Sequence, residues 1–257
     1  MKNKLKLAKR KRILFFVIFV LLAASVIYAT VMFIQAPSGV STKESELVKS
    51  DYVLMILQCL VGMVVIFLPA QAEQHYGIDI PDMMEMIYFI FLFCAIYLGE
   101  VQNFYYRVPF WDTILHGFSA IMLAALGFFL VDFMNRSKTL HLRLKPFFVS
   151  FFAFCFATTC GVVWEIYEFT ADQILGTNMQ KFMTAEGVVL SGHQALGDTM
   201  KDIIVDVVCA LAIVILGYWN LKRLEKRRMG PKPELELETS QLSQKEKTVE
   251  ANHQEES

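Results

Sequence analysis

The chain has 257 residues, 55% of them hydrophobic and 19% charged, with a formal net charge of −1 at pH 7. So apolar a composition excludes a disordered chain, and five cysteines in this length exclude a disulfide-framed scaffold. The near-neutral charge gives no sign of a polyanionic partner.

The apolar residues are gathered into blocks. A basic stretch, residues 1–12, carries Lys2, Lys4, Lys6, Lys9, Arg10, Lys11 and Arg12 and leads into the first block, Ile13–Ile34. That block is about twice the length of a signal-peptide core and ends without a small-x-small cleavage site, so a retained helix is expected. A polar connection, Gln35–Ser50, leads to the second block, Tyr52–Ala70, and the short acidic segment Gln71–Asp82 follows. The third block, Met83–Leu98, is the shortest and needs its flanks to span. Gly99–Asp112 is rich in aromatic rings of the kind that settle at lipid headgroup level. Thr113–Phe133 and Phe147–Phe169 are the fourth and fifth blocks, joined by a connection with Arg136, Lys138, Arg143 and Lys145. The longest connection, Thr170–Gly197, contains Gly176, Gly187, Gly192 and Gly197 and has the length of a lid or binding loop. The sixth block is Thr199–Trp219, and residues 222–257 are too hydrophilic to fold alone.

Helices of about 20 apolar residues cross a hydrocarbon core. The expectation is an all-α polytopic membrane protein, a bundle of about six transmembrane helices over residues 13–221 with loop 170–197 outside. Residues 1–12 and a disordered tail, 222–257, would lie in the cytoplasm. Lys and Arg concentrate at the N-terminus, after the fourth block and after the sixth, which places both termini on the cytoplasmic side of the membrane. All five cysteines fall within blocks and read as small buried hydrophobes.

Three acidic ladders fall on one side of this topology. Asp112 and His116 are four residues apart, and Ala120 and Ala124 continue their row. Ala153, Ala157, Gly161 and Glu165 form a second row, extended by Glu168 and Asp172. Asp198, Asp202 and Asp206 form the third and lead to Ala210. Residues four apart share a helix face, and small residues at that spacing let membrane helices approach closely. Each ladder is thus expected to face another helix, with a polar pocket above a floor of small residues. A plainer account makes Asp198 or Thr199 the N-cap of the sixth helix with Asp202 in capping-box position, and Asp112 a cap of the fourth. It does not reach Asp206, about two turns inside at 1.5 Å per residue. Ionisable groups within a span usually mark a site. Several carboxylates with one imidazole, and Lys201 and Arg107 as the nearby cations, call for a divalent cation or shared protons.

Trp111-Asp112 with Leu115-His116-Gly117-Phe118, then Trp164-Glu165-Ile166-Tyr167-Glu168-Phe169 with Asp172, Leu175-Gly176-Thr177, and Gly197-Asp198-Thr199-Met200-Lys201-Asp202 with Asp206 resemble the YjdF-like family of bacterial inner-membrane proteins. The likeness covers about the last five blocks. A looser one, an Asp–His pair opening a span with acids on later ones, is to VanZ-like membrane proteins. The first resemblance implies the multi-pass fold and the location of the motifs, and no particular reaction.

Three functions compete. An envelope protein whose pocket binds a divalent cation or a partner protein ranks first. A metal-dependent membrane enzyme acting on a lipid or lipid-linked substrate ranks second, with Asp202, Asp206 and Glu165 as ligands and Glu168 or His116 as acid or base. A cation- or proton-coupled transporter ranks third, weakened by the lack of internal repeats. The lipid bilayer is the implied partner, with a lipid-like ligand or an envelope protein expected at the pocket. There is no nucleic-acid motif and no phosphate-cradling glycine loop.

Overall fold

The computed structural model describes residues 2–38, 47–136, 144–184 and 188–229. Among these the chain is helical, in the order α1 (Lys2–Gln35), α2 (Lys49–Val65), α3 (Leu68–Tyr76), α4 (Asp82–Leu92), α5 (Phe104–Arg107), α6 (Trp111–Arg136), α7 (Pro146–Leu175) and α8 (His193–Met229). A π-helical segment, Phe93–Val101, continues α4. Five stretches are long and apolar enough to cross a membrane: Lys6–Gln35, Lys49–Tyr76, Asp82–Val101, Trp111–Asn135 and Pro146–Leu175. The sixth block forms the middle of α8, which is not among those five.

Two cores result. One joins α1, α2 and α4 through large side chains, with Ile18, Leu22, Met55, Cys59, Ile66, Phe89 and Leu92 buried. The other joins α6, α7 and α8 almost entirely through alanine: Ala120 and Ala124, Ala153 and Ala157, Ala210, closed by Val214. Alanine leaves helix backbones free to approach, and a Cβ placed on Gly127 would come within 2.8 Å of the Ala153 Cα. Ile27, Ile34 and Phe147 are 68%, 74% and 70% exposed. Apolar surface of that extent suits lipid and would be costly in water.

Boundaries moved in three places. α7 runs on to Leu175 and stops at Gly176, whose φ of 64° is the left-handed conformation that glycine adopts without strain. The connection is therefore 176–192, shorter than expected. Its described residues, 176–184 and 188–192, form the two arms of a small hairpin paired by an antiparallel bridge between Met183 and Val189. α8 begins at His193, so Asp198 and Asp202 lie inside the helix and the capping account of both is wrong. The physical reason is that His193-Gln194-Ala195-Leu196 continues the helical path upstream of Gly197, which is tolerated within it. Residues 222–229 also continue this helix, correcting the start of the expected tail, whose remainder, 230–257, lies outside the described residues.

The chain divides into two compact units, Met1–Ile215 and Leu216–Ser257. All the chemistry below belongs to the first.

Candidate functional site

Three rows of four-residue spacing end in ionisable groups, and all three rows are buried. On α6 the row is His116, Ala120, Ala124; on α7 it is Ala153, Ala157, Gly161, Glu165; on α8 it is Asp202, Asp206, Ala210, Val214. The alanines meet in the core, and the ionisable ends meet beyond it, near the start of α6, in the first half of α8 and where α7 approaches its end.

His116 is the centre. Its Nδ1 lies 3.3 Å from Asp206 Oδ2, while its Nε2 lies 3.7 Å from Glu165 Oε1 and 4.0 Å from Asp112 Oδ1. An ionised carboxylate only accepts, so the Asp206 contact takes a ring proton on Nδ1, and a neutral imidazole then turns its Nε2 lone pair towards Asp112 and Glu165. A carboxylate orienting one imidazole nitrogen is the usual companion of a metal-ligating one. One ligand atom from each of Asp112, His116 and Asp202 falls within 4.8 Å of the others. Gly161 makes room for this arrangement, because any Cβ there would overlap the Asp206 carboxylate.

The buried acids are incompletely satisfied. Glu165, Asp202 and Asp206 are 4%, 2% and 3% exposed. Both carboxylate oxygens of Glu165, Oδ1 of Asp202 and Oδ1 of Asp206 have no hydrogen-bond partner within the protein. Such groups are costly unless something else reaches them.

Two lysines border the acids. The Lys181 ammonium contacts Asp112 and lies 3.6 Å from Asp198. Lys201 lies 3.5 Å from Asp198 and 3.8 Å from Asp202. Burial pulls the pKa of Lys181 down, but Asp112 and Asp198 more than offset it, and the ammonium is held above the ordinary lysine range. The sequence points to Lys201 and Arg107 as the nearby cations. Arg107 is exposed, and Lys181 takes the role instead. The signal missed was chain reach: a hairpin between α7 and α8 returns its first residues to Asp112 of α6 and to Asp198 and Thr199 of α8.

The remaining candidates divide. Asp198 is half-buried and bridges the two lysines. Glu168 accepts a hydrogen bond from the Trp164 indole at 2.8 Å on its own helix. Asp172 stands apart from the ion-pair network. Its carboxylate accepts from the Thr177 hydroxyl at 2.6 Å and from the Met179 and Gln180 N–H groups at 2.8 and 2.9 Å, so it anchors the hairpin.

Among known proteins, an uncharacterized protein of Thermotoga maritima is 28% identical over 152 residues, 59% of this chain and 70% of its own length. No solved structure matches. The likeness to VanZ-like proteins finds no support in these matches. Residues 30–223 match the family described as "Predicted membrane protein (DUF2238)", which takes in all three ladders. The chain belongs to that family of predicted membrane proteins.

Proposed function

We propose that this protein is a multi-pass membrane protein of the bacterial plasma membrane that binds a divalent cation in the pocket formed by α6, α7 and α8. The observation that carries this reading is a charge deficit in a buried place. Asp112, Glu165, Asp198, Asp202 and Asp206 face Lys181, Lys201 and His116 in one network. When all five carboxylates are ionised, two ammonium groups and one protonated imidazole leave two negative charges uncompensated. The four oxygens without partners lie among these same acids. A divalent ion supplies the missing charge and the missing partners together.

Asp112, His116 Nε2 and Asp202 are the proposed ligands, with Glu165 completing the set and Asp206 orienting the imidazole. One nitrogen and several oxygens suit Zn²⁺, Mn²⁺ or Fe²⁺. The basic residues at the N-terminus, after α6 and at the end of α8 support cytoplasmic termini and an external pocket. Ile204, Val208, Leu211 and Ile215 of α8 are 56%, 59%, 45% and 47% exposed on the face away from Asp202 and Asp206, which supports α8 as a sixth span. The YjdF-like resemblance agrees with the family above.

The test is thermal unfolding of purified protein in detergent with Zn²⁺, Mn²⁺ or Mg²⁺. At a hundredfold excess over the dissociation constant, binding adds about 2.7 kcal/mol. For a chain of this size that is roughly 5–10 °C. Asp112→Asn, His116→Gln and Asp202→Asn should each remove the gain, while Glu168→Gln should keep it. If no ion shifts the wild-type transition but pH does, the acids share protons and the cation reading is wrong.

A further inference from the structure

Lys181 is not an ordinary surface lysine. Its ammonium meets Asp112 and Asp198 and sits 5.4 Å from the centre of the Tyr105 ring. Its backbone is in the left-handed region, with φ of 49°, which a lysine adopts only when its surroundings demand it. The segment that carries it is tied down on both sides. Asp172 holds Thr177, Met179 and Gln180, and the Asn178 side chain bridges to Met183 through its N–H and C=O groups at 2.7 and 3.0 Å. Gln180 donates to the Thr199 hydroxyl of α8 at 2.9 Å. The strained backbone at Lys181 thus presents one positive charge to Asp112, an acid within ligand distance of His116 and Asp202.

Resting on the cation-binding reading above, we propose that Lys181 is the resident counter-cation of the pocket, and that a divalent ion enters by displacing its ammonium from Asp112. Asp112 cannot serve the ammonium and a metal at full strength together, because a cation held by Asp112, His116 and Asp202 would lie within a few ångströms of the ammonium and repel it. Displacement also lets the backbone at Lys181 leave its strained conformation. The exchange confers charge selectivity. A monovalent ion replacing one positive charge with another gains little, whereas a divalent ion gains a full unit. Residues 177–184 then loosen when the metal binds, reporting occupancy on the surface of the bundle.

Two measurements on the full-length protein in detergent test this, with Mn²⁺ as the probe and Na⁺ at matched ionic strength as the control. The first is the Mn²⁺ concentration giving half of the thermal stabilisation. Lys181→Met should lower it tenfold or more, and Lys181→Arg, which keeps the charge, should leave it near wild type. The second is amide hydrogen exchange over residues 177–184. In the wild type Mn²⁺ should speed exchange there, and in Lys181→Met the exchange should already be fast and indifferent to Mn²⁺. Mn²⁺ stabilisation of wild type and Lys181→Met at the same concentration, with hairpin exchange unmoved, overturns the displacement and leaves the cation site standing. Absence of Mn²⁺ stabilisation in both proteins overturns the two together. Stabilisation of Lys181→Met alone supports both, with the lysine outcompeting the ion.

Discussion

Adding a single methyl group to Gly161 tests the packing logic of the site more sharply than removing any acid. On helix propensity alone, Gly→Ala in a helix interior stabilises by about 1 kcal/mol. At Gly161, however, the new Cβ would overlap the Asp206 carboxylate, which has no free direction to retreat because it is 3% exposed and held to His116. Overpacking of this kind costs about 1–3 kcal/mol. Displacing Asp206 also breaks a charge-assisted hydrogen bond worth about 1.5–3 kcal/mol. The balance for Gly161→Ala is a loss of about 1.5–5 kcal/mol. Gly197→Ala is the matched control. It lies inside α8 with nothing within 4 Å of its would-be Cβ, so it should gain up to about 1 kcal/mol. Thermal and denaturant unfolding in detergent, with and without Mn²⁺, reads both. Gly161→Ala should be less stable and lose the metal response, whereas Gly197→Ala should be more stable and keep it. Equal or greater stability of Gly161→Ala, with the metal response intact, would show that Asp206 is not seated against α7.

Asp172→Ala should release the hairpin, and Lys181 with it, without removing any of the acids around His116. It strands the N–H groups of Met179 and Gln180, at a cost of about 1–3 kcal/mol, and should make residues 177–184 the first site of limited proteolysis. Protease resistance equal to wild type would refute the anchoring role. For topology, a cysteine replacing Val188, which is 60% exposed, should react with a membrane-impermeant thiol reagent in intact cells. One replacing the exposed Lys226 should react only after permeabilisation. The reverse pattern would move the pocket to the cytoplasmic side.

What the sequence determined by itself was the periodic part of this protein. Blocks of apolar residues mark the spans because helix length against bilayer thickness is a one-dimensional property. The four-residue rows ending in His116, Glu165 and Asp206 marked buried faces, since side-chain direction along a helix follows from backbone geometry alone. Which acids meet was a different matter. Asp172 continues the α7 row in sequence, yet its carboxylate turns to the first residues of the hairpin, and nothing in the spacing distinguishes it from Glu165. Lys181 lies 69 residues from Asp112. Its place in the pocket depends on the path of the hairpin to α6 and α8, which is settled by the left-handed turns at Gly176 and Lys181 and by the Asp172 hydrogen bonds. Gly197-Asp198-Thr199 has the chemistry of a helix start, and only the folded chain shows α8 already under way at His193. Local periodicity is written in the spacing of residues, whereas the convergence of charges from three helices and a hairpin exists only once the alanine faces have packed.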